Sequence, residues 1–119
     1  PTGRVLGVER HPELVESSWA AIDAVTADPP DREALAEVAI HEAVPGALGL
    51  PAKAPFDRIL VSAGAESLPD QLVDQLAVGG TMVIPVAGEM LRVVLDGPGV
   101  DELTITRHGR YRFVPLISE

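Results

Sequence analysis

One carboxylate lies where a nucleotide-type cofactor could be bound. Glu9 closes a short apolar run, and the chain then passes through His11 and Pro12 into a helical pattern, which indicates strand, turn and helix in that order. An acid at the carboxyl end of a strand in a doubly wound sheet can accept hydrogen bonds from the hydroxyls of a ribose. A solvated acid in a turn produces the same pattern, and spacing alone favours neither interpretation.

The remaining polar side chains predict neither a metal site nor a nucleophile. No pair among His11, His41 and His108 has the helical spacing that places two imidazoles on one face, so we expect solvated or capping histidines and no bound metal. No serine stands in a Gly-x-Ser-x-Gly motif, and the sequence contains 0 cysteines. Hydrolase chemistry, a disulfide framework and a thiolate metal site are therefore disfavoured.

Composition indicates a small α/β protein. Of the 119 residues, 46% are hydrophobic but only 3% are aromatic, so the core must be aliphatic, as in a buried parallel sheet flanked by helices. A net charge of −9 would repel a phosphate backbone, and no apolar run reaches the ~18 residues that a membrane span needs. We expect no nucleic-acid partner, no membrane partner and a cytoplasmic location.

Hydrophobic periodicity predicts alternating strands and helices. Strands are expected over residues 4–9, 38–44, 56–62, 81–86, 90–95, 102–107 and 111–117. Helices are expected from Glu13 to the break at residues 28–31, with Trp19 packed in the core, and over residues 68–76, stopped by Gly79 and Gly80. Residues 32–37 could form a helical turn or a loop, and residues 51–55 a stiff proline connector. The strand over residues 56–62 is expected near the centre of the sheet.

Several blocks, taken together, resemble one known family. They are Gly3-Arg4-Val5-Leu6-Gly7-Val8-Glu9-Arg10 with Pro12-Glu13-Leu14-Val15, Ala54-Pro55-Phe56-Asp57-Arg58-Ile59, the stretch from Leu68-Pro69 through Gln75-Leu76 and Gly79-Gly80 to Ile84-Pro85-Val86, and Phe113-Val114-Pro115-Leu116. In this order and at this spacing they resemble the carboxyl-terminal portion of the protein-L-isoaspartate O-methyltransferases.

The resemblance implies a Rossmann-like, S-adenosylmethionine-dependent methyltransferase fold that is incomplete at the N-terminus. Residues 1–119 would form a single partial domain that lacks the first strand and the glycine-rich loop. The implied activity is methyl transfer from S-adenosyl-L-methionine to the carboxylate of isoaspartyl residues in damaged proteins. Because the first strand of this topology lies between the second and the fourth, we expect the chain alone to be inactive and prone to aggregate or dimerise.

The resemblance also assigns site residues. Glu9 would bind the cofactor ribose, Ile117 would lie near the cofactor, and the substrate would meet Val114, Pro115 and Leu116. The family's Gly-Asp-Gly, whose acid meets the adenine, is replaced here by residues 41–49. Glu42 can stand in for that acid, whereas alignment on Gly46 and Gly49 places Pro45 there.

Two other functions stay open beside the repair enzyme. The loss of Gly-Asp-Gly favours a degenerate methyltransferase-like module that binds a partner or peptide without catalysis. Another nucleotide-binding α/β enzyme would also carry an acid at the position of Glu9, although the block around Phe113 gives that interpretation little support.

Overall fold

The chain forms two compact units in a computed structural model that describes residues 3–25, 37–99 and 102–117. The first unit is Pro1–Pro45 and the second is Gly46–Glu119. Both contain strands, and the second combines parallel with antiparallel pairing, so the α/β class expected from the sequence is confirmed. The assignment of residues 1–119 to a single partial domain stays a prediction.

The first unit is a strand, a helix and a second strand. Strand β1 (Arg4–Glu9) leads into helix α1 (Pro12–Val25), and strand β2 (Glu37–Glu42) pairs with β1 in parallel. Parallel neighbours need a crossover connection, and α1 supplies its helical part. The predicted helix end at residues 28–31 lies outside the described residues, as does the predicted turn or loop over residues 32–37 except for Glu37, which begins β2.

Trp19 does not pack in a core as predicted. Its residue is 38% exposed, and its indole Nε1 donates a hydrogen bond of 3.1 Å to the main-chain oxygen of Ile40 on β2. The indole nitrogen needs an acceptor, and a strand carbonyl at the edge of the first unit provides one while leaving part of the ring in water. The tryptophan therefore ties α1 to β2 instead of filling an interior.

The second unit is built on a four-stranded sheet. A short 3-10 helix (Pro51–Lys53) precedes strand β3 (Phe56–Leu60), and the single-turn helix α2 (Asp70–Val73) follows it. Strands β4 (Leu76–Val86), β5 (Glu89–Leu95) and β6 (Leu103–Arg110) complete the order β3-β4-β5-β6. Only β3 and β4 run parallel, while the β4-β5 and β5-β6 pairs are antiparallel.

The core of the second unit lies on one face of this sheet. Met82 pairs with Val93 and Ile84 with Leu91, so the four side chains share a face, and each residue is at most 8% exposed. Leu72, Val73, Leu76 and Leu95 complete the buried cluster. The expectation of an aliphatic core is confirmed here.

The helix predicted over residues 68–76 is shorter, and the strand after it longer, than the sequence indicates. α2 ends at Val73, and β4 begins at Leu76, before the glycine pair. Gly79 has a φ of 82°, and the β3-β4 register shifts next to it, so the glycines form an irregularity within the strand and do not stop it. Gly80 permits the close approach, since a Cβ there would lie 3.0 Å from the main-chain oxygen of Asp57.

Two further predictions about strands are wrong. β3 lies at the edge of its sheet and not near the centre, and Leu60 at its end is 76% exposed. Residues 111–117 do not form a strand: their β-pairing is an isolated parallel bridge between Gly64 and Pro115, outside the strands. The two bonds of this bridge are made by the residues on either side of Pro115, and they do not continue into a ladder.

Candidate functional site

Two carboxylates lie side by side in the first unit. Glu9 ends β1, Glu42 ends β2, and the two residues are register partners in the parallel pair. Neighbouring strands lie about 4.8 Å apart, and paired residues of parallel strands point to the same face. The structure thus brings together two residues that the sequence proposed separately, and it presents two hydrogen-bond acceptors at one edge.

Glu9 is held in place by the turn that follows it. Its Oε1 accepts a hydrogen bond of 3.2 Å from the main-chain N–H of His11, and its main-chain oxygen accepts one of 2.8 Å from Ala43. The residue is half-buried, whereas Glu42 is exposed. An ionised carboxylate positioned in this way can accept bonds from paired hydroxyls, the chemistry that the sequence assigned to it.

Glu42 at the end of β2 and Pro45 after it are the two alternatives for the residue at the position of the family's adenine-binding acid. Pro45 is exposed, and its side chain offers no hydrogen-bond acceptor, so of the two residues only Glu42 could accept a bond from an amino group. Gly46 begins the second unit with a φ of 84°, and a Cβ there would meet no atom within 4 Å. Its glycine is required by backbone conformation alone.

A depression in the second unit contains part of the predicted substrate site. Its volume is about 300 Å³, and it is lined by Leu48, Gly64, Ala65, Glu66, Ser67, Pro69, Pro115 and Leu116. Two of the three predicted substrate-binding residues, Pro115 and Leu116, therefore border a concave surface. The third, Val114, is 71% exposed, and Ile117, predicted near the cofactor, is 39% exposed.

Main-chain hydrogen bonds place residues 111–117, which we call the C-terminal strap. The N–H of Tyr111 donates to the oxygen of Gly88 at 2.9 Å. Further along, the N–H of Gly64 donates to the oxygen of Val114 at 2.7 Å, and the N–H of Leu116 donates to the oxygen of Gly64 at 2.9 Å. The strap thus runs from the tip of the β4-β5 hairpin to the segment that follows β3.

The segment that follows β3 lies between the strap and β4. Ala65 donates to the oxygen of Pro85 at 2.9 Å and accepts from the N–H of Ala87 at 2.8 Å, whereas both main-chain groups of Gly64 bond to the strap. Successive residues of extended chain direct their main-chain groups to opposite sides, so Gly64 and Ala65 connect different neighbours. This alternation fixes the position of the strap beside the depression.

The sequence reasoning missed a pair of glutamines that holds the other wall of the depression. Gln75 is only 4% exposed; its Oε1 accepts from the N–H of Leu50 at 2.9 Å, and its Nε2 donates to the main-chain oxygens of Leu48 at 2.8 Å and Gln71 at 3.0 Å. The Oε1 of Gln71 accepts from the N–H of Leu48 at 2.9 Å. Their spacing of four residues, on one side of a helical turn, is the signal that could have revealed them.

Gly49 lies at the centre of this glutamine clamp, formed by Gln71 and Gln75. Its φ is 66°, and a Cβ on it would lie 2.3 Å from the Oε1 of Gln75. Glycine is therefore required there both for backbone conformation and for space. The clamp and the glycine together hold Leu48 where it lines the depression.

The described part of the chain contains no group of three or more His, Cys, Asp or Glu residues arranged to hold a metal ion. His11 and His108 are exposed, and the Nε2 of His108 lies 2.8 Å from the Oγ1 of Thr106. None of the helices within residues 3–25, 37–99 and 102–117 is both long enough and apolar enough to cross a membrane.

A solved structure shares this fold. A Plasmodium falciparum protein-L-isoaspartate O-methyltransferase, crystallised with S-adenosyl-L-homocysteine, superposes with a TM-score of 0.75 at 24% sequence identity. The match covers 98% of this chain and 53% of that chain. The fold is therefore that of part of an S-adenosylmethionine-dependent methyltransferase, as the sequence predicted.

Curated relatives are more similar in sequence. Protein-L-isoaspartate O-methyltransferases of Methanopyrus kandleri and Thermococcus onnurineus are 38% and 41% identical to it over 100% and 97% of the chain. Protein-L-isoaspartate O-methyltransferase 1 of Arabidopsis thaliana is 41% identical over 98%. The chain spans about half the length of these relatives, 50% in each case, and matches their carboxyl-terminal portion. The sequence model of protein-L-isoaspartate (D-aspartate) O-methyltransferases matches residues 1–119, and the chain belongs to that family.

Proposed function

We propose that the chain takes part in methyl transfer from S-adenosyl-L-methionine to the carboxylate of isoaspartyl residues in damaged proteins. The observation that carries the proposal is the family match over residues 1–119. The proposal includes isoaspartyl proteins or peptides as substrates and a cytoplasmic location.

The hydrogen-bond acceptors of the first unit fit the adenosyl part of this cofactor. Glu9 and Glu42 supply adjacent acceptors, and the cofactor offers hydroxyl and amino donors. In the proposal Glu9 accepts from the ribose hydroxyls and Glu42 from the adenine amino group. Gly46 and Ile117 are proposed as further cofactor contacts.

Little covalent chemistry is required of the protein. The sulfonium of the bound cofactor supplies an already activated methyl group, so catalysis rests on orientation and on exclusion of water. In the proposal Val114, Pro115 and Leu116 bind the substrate, and the main-chain bonds between Gly64 and the strap keep these residues in place. The depression beside Pro115 and Leu116 would take the residue to be methylated.

A second candidate function is binding without catalysis. The family's Gly-Asp-Gly is absent, and Pro45 offers no side-chain acceptor at the aligned position. If Glu42 does not replace the missing acid, adenosyl affinity is lost and peptide binding alone could persist. Calorimetry with S-adenosyl-L-homocysteine distinguishes the two functions, because the methyltransferase should bind this ligand and the binding module should not.

A methyl-transfer assay tests the proposal. Transfer of labelled methyl from S-adenosyl-L-methionine would be measured with an isoaspartyl peptide and with its aspartyl isomer, for the chain alone and for the chain joined behind the amino-terminal half of the Methanopyrus kandleri relative. We expect the fusion to methylate only the isoaspartyl peptide and the chain alone to be inactive. A folded fusion that binds S-adenosyl-L-homocysteine but leaves the peptide unmethylated would refute the repair activity.

A further inference from the structure

Positive charge is concentrated near the end of this acidic chain. The whole sequence has 18 acidic and 9 basic residues, yet residues 103–117 contain three arginines and no Asp or Glu. The three are Arg107, Arg110 and Arg112, and all are exposed. This segment therefore carries a charge opposite to that of the chain as a whole.

The arginines differ in their partners. The Nε of Arg107 lies 3.7 Å from a carboxylate oxygen of Glu89, which partly compensates its charge. Among the described residues, neither Arg110 nor Arg112 forms an ion pair within 4.0 Å. Arg110 is the register partner of Glu89 across β5 and β6, but its guanidinium, like that of Arg112 two residues later, has no carboxylate oxygen of a described residue within 4.0 Å.

Arg110 ends the edge strand β6, and Arg112 follows it. Charged residues often protect a sheet edge from pairing with another chain. Here the β5-β6 register shifts after Arg107, and Gly109 has a φ of 105°, so the regular ladder is already interrupted before Arg110. Arg110 pairs again as the register partner of Glu89 and is the last residue of β6, whereas Arg112 lies outside the strands, so protection of the edge does not account for Arg112.

The same residues lead directly into the predicted substrate site. The N–H of Tyr111 is bonded to Gly88, and Val114 is bonded to Gly64, so the main chain is fixed on both sides of Arg112. Tyr111 is 52% exposed and Phe113 39% exposed. Arginine alternating with an aromatic residue on a fixed main chain provides both charge and contact area for an extended peptide.

We propose that Arg110 and Arg112 form a docking surface for acidic residues that flank the modified site of the substrate, so that the chain prefers acidic peptides. The identity of this peptide as the substrate rests on the proposed function. A two-fold pairing of copies through this surface is disfavoured, because it would oppose arginine to arginine. A nucleic acid is disfavoured because two arginines neutralise few phosphates and the chain as a whole carries a charge of −9.

Peptide binding by the 119-residue chain tests this surface. Fluorescence anisotropy would compare three labelled peptides that contain one isoaspartyl residue flanked by Glu, by Gln or by Lys, and the same three peptides with ordinary aspartate. We expect binding in the order Glu, Gln, Lys, with the Glu advantage falling as salt is raised from 50 to 300 mM because the charges are exposed. Equal affinity for the Glu and Gln peptides at low salt overturns the inference.

Substitution of the two arginines tests whether they cause the preference for acidic flanks. The double variant Arg110→Gln/Arg112→Gln should bind the Glu peptide about threefold to tenfold more weakly and lose the difference between Glu and Gln flanks. Arg58→Gln on β3 is the matched control. It should keep both the affinity for the Glu peptide and the difference between Glu and Gln flanks. An unchanged double variant, or tighter binding of an oligothymidylate than of the Glu peptide, would contradict the proposal. The wild-type peptide series decides the question even if the double variant does not fold.

The design separates this inference from the function on which it rests. A preference for acidic flanks that is seen with both the isoaspartyl and the aspartyl peptides supports the docking surface, whatever the methyl-transfer assay gives. Methylation of the isoaspartyl peptide without any dependence on its flanks supports the proposed function and overturns the docking surface.

Discussion

Glu9 and Glu42 are register partners at the carboxyl ends of two parallel strands, so their carboxylates lie at the same edge of the first unit. Glu9 is additionally held by the N–H of His11, whereas Glu42 is exposed. A fixed acceptor beside a freer one suits a ligand with two kinds of donor. Because their surroundings differ, substitution of each carboxylate alone should affect ligand binding to a different extent.

Replacement of Glu9 by Gln should weaken binding of S-adenosyl-L-homocysteine about tenfold or more, because hydrogen bonds to a charged acceptor contribute about 1.5–3 kcal/mol. Glu42→Gln should have a smaller effect, since an amide oxygen can still accept a bond from an amino group. Calorimetry on the fusion described above measures both changes, with Glu16→Gln on α1 as control. Wild-type affinity in the Glu9 variant would remove that residue from the proposed site.

The parts of the fold that were predictable depend on local pattern. The strand over residues 4–9 follows from hydrophobic periodicity and the aliphatic core from composition, and the structure confirms both. The position of Glu9 at a strand end followed from the same pattern. Its role toward a cofactor, like those of the other site residues, stays a prediction.

The parts that were missed depend on distant partners. Gly79 and Gly80 resemble a helix stop, and only the shifted pairing with β3 shows that the strand continues through them. Gln75 binds main-chain groups of Leu48 and Leu50, which are 27 and 25 residues away, so no local pattern reveals its role. The edge position of β3 likewise depends on which strands are present to pair with it.

Gln75→Ala should destabilise the chain by about 2–3 kcal/mol, because the N–H of Leu50 and the oxygen of Leu48 would lose a buried partner. Gln71→Ala is the matched control: it removes one exposed side-chain bond and should cost less than about 1 kcal/mol. Urea unfolding followed by circular dichroism gives both values. Equal losses of unfolding free energy in the two variants would show that the burial of Gln75 does not add to the stability that the clamp provides.

Gly49→Ala should be more destabilising than Gly46→Ala, although both positions have a positive φ. The new Cβ at residue 49 would lie 2.3 Å from the Oε1 of Gln75, whereas residue 46 has open space around it. We expect a loss of about 1 kcal/mol from conformation at Gly46 and at least about 2 kcal/mol at Gly49. Thermal unfolding of the two variants measures this difference, and similar midpoints would contradict the predicted clash.

The exposed end of β3 should promote self-association of the chain. Leu60 is 76% exposed on an edge strand, and such edges pair readily with other chains. Sedimentation velocity should show dimers or larger species, and Leu60→Lys should shift the population toward monomer. Val44→Lys, at a residue 65% exposed outside the strands, is the control and should shift it less. A monomeric wild-type chain would refute the expectation of aggregation or dimerisation.

The attachment of the C-terminal strap through Gly64 bears on how recognition could diversify. Because main-chain atoms make these bonds, the path of the strap is independent of which side chain occupies position 114. Val114, at 71% exposure, is consequently free to vary during evolution at little cost to folding. New peptide preferences could arise there by single substitutions, while the architecture beneath them is inherited unchanged.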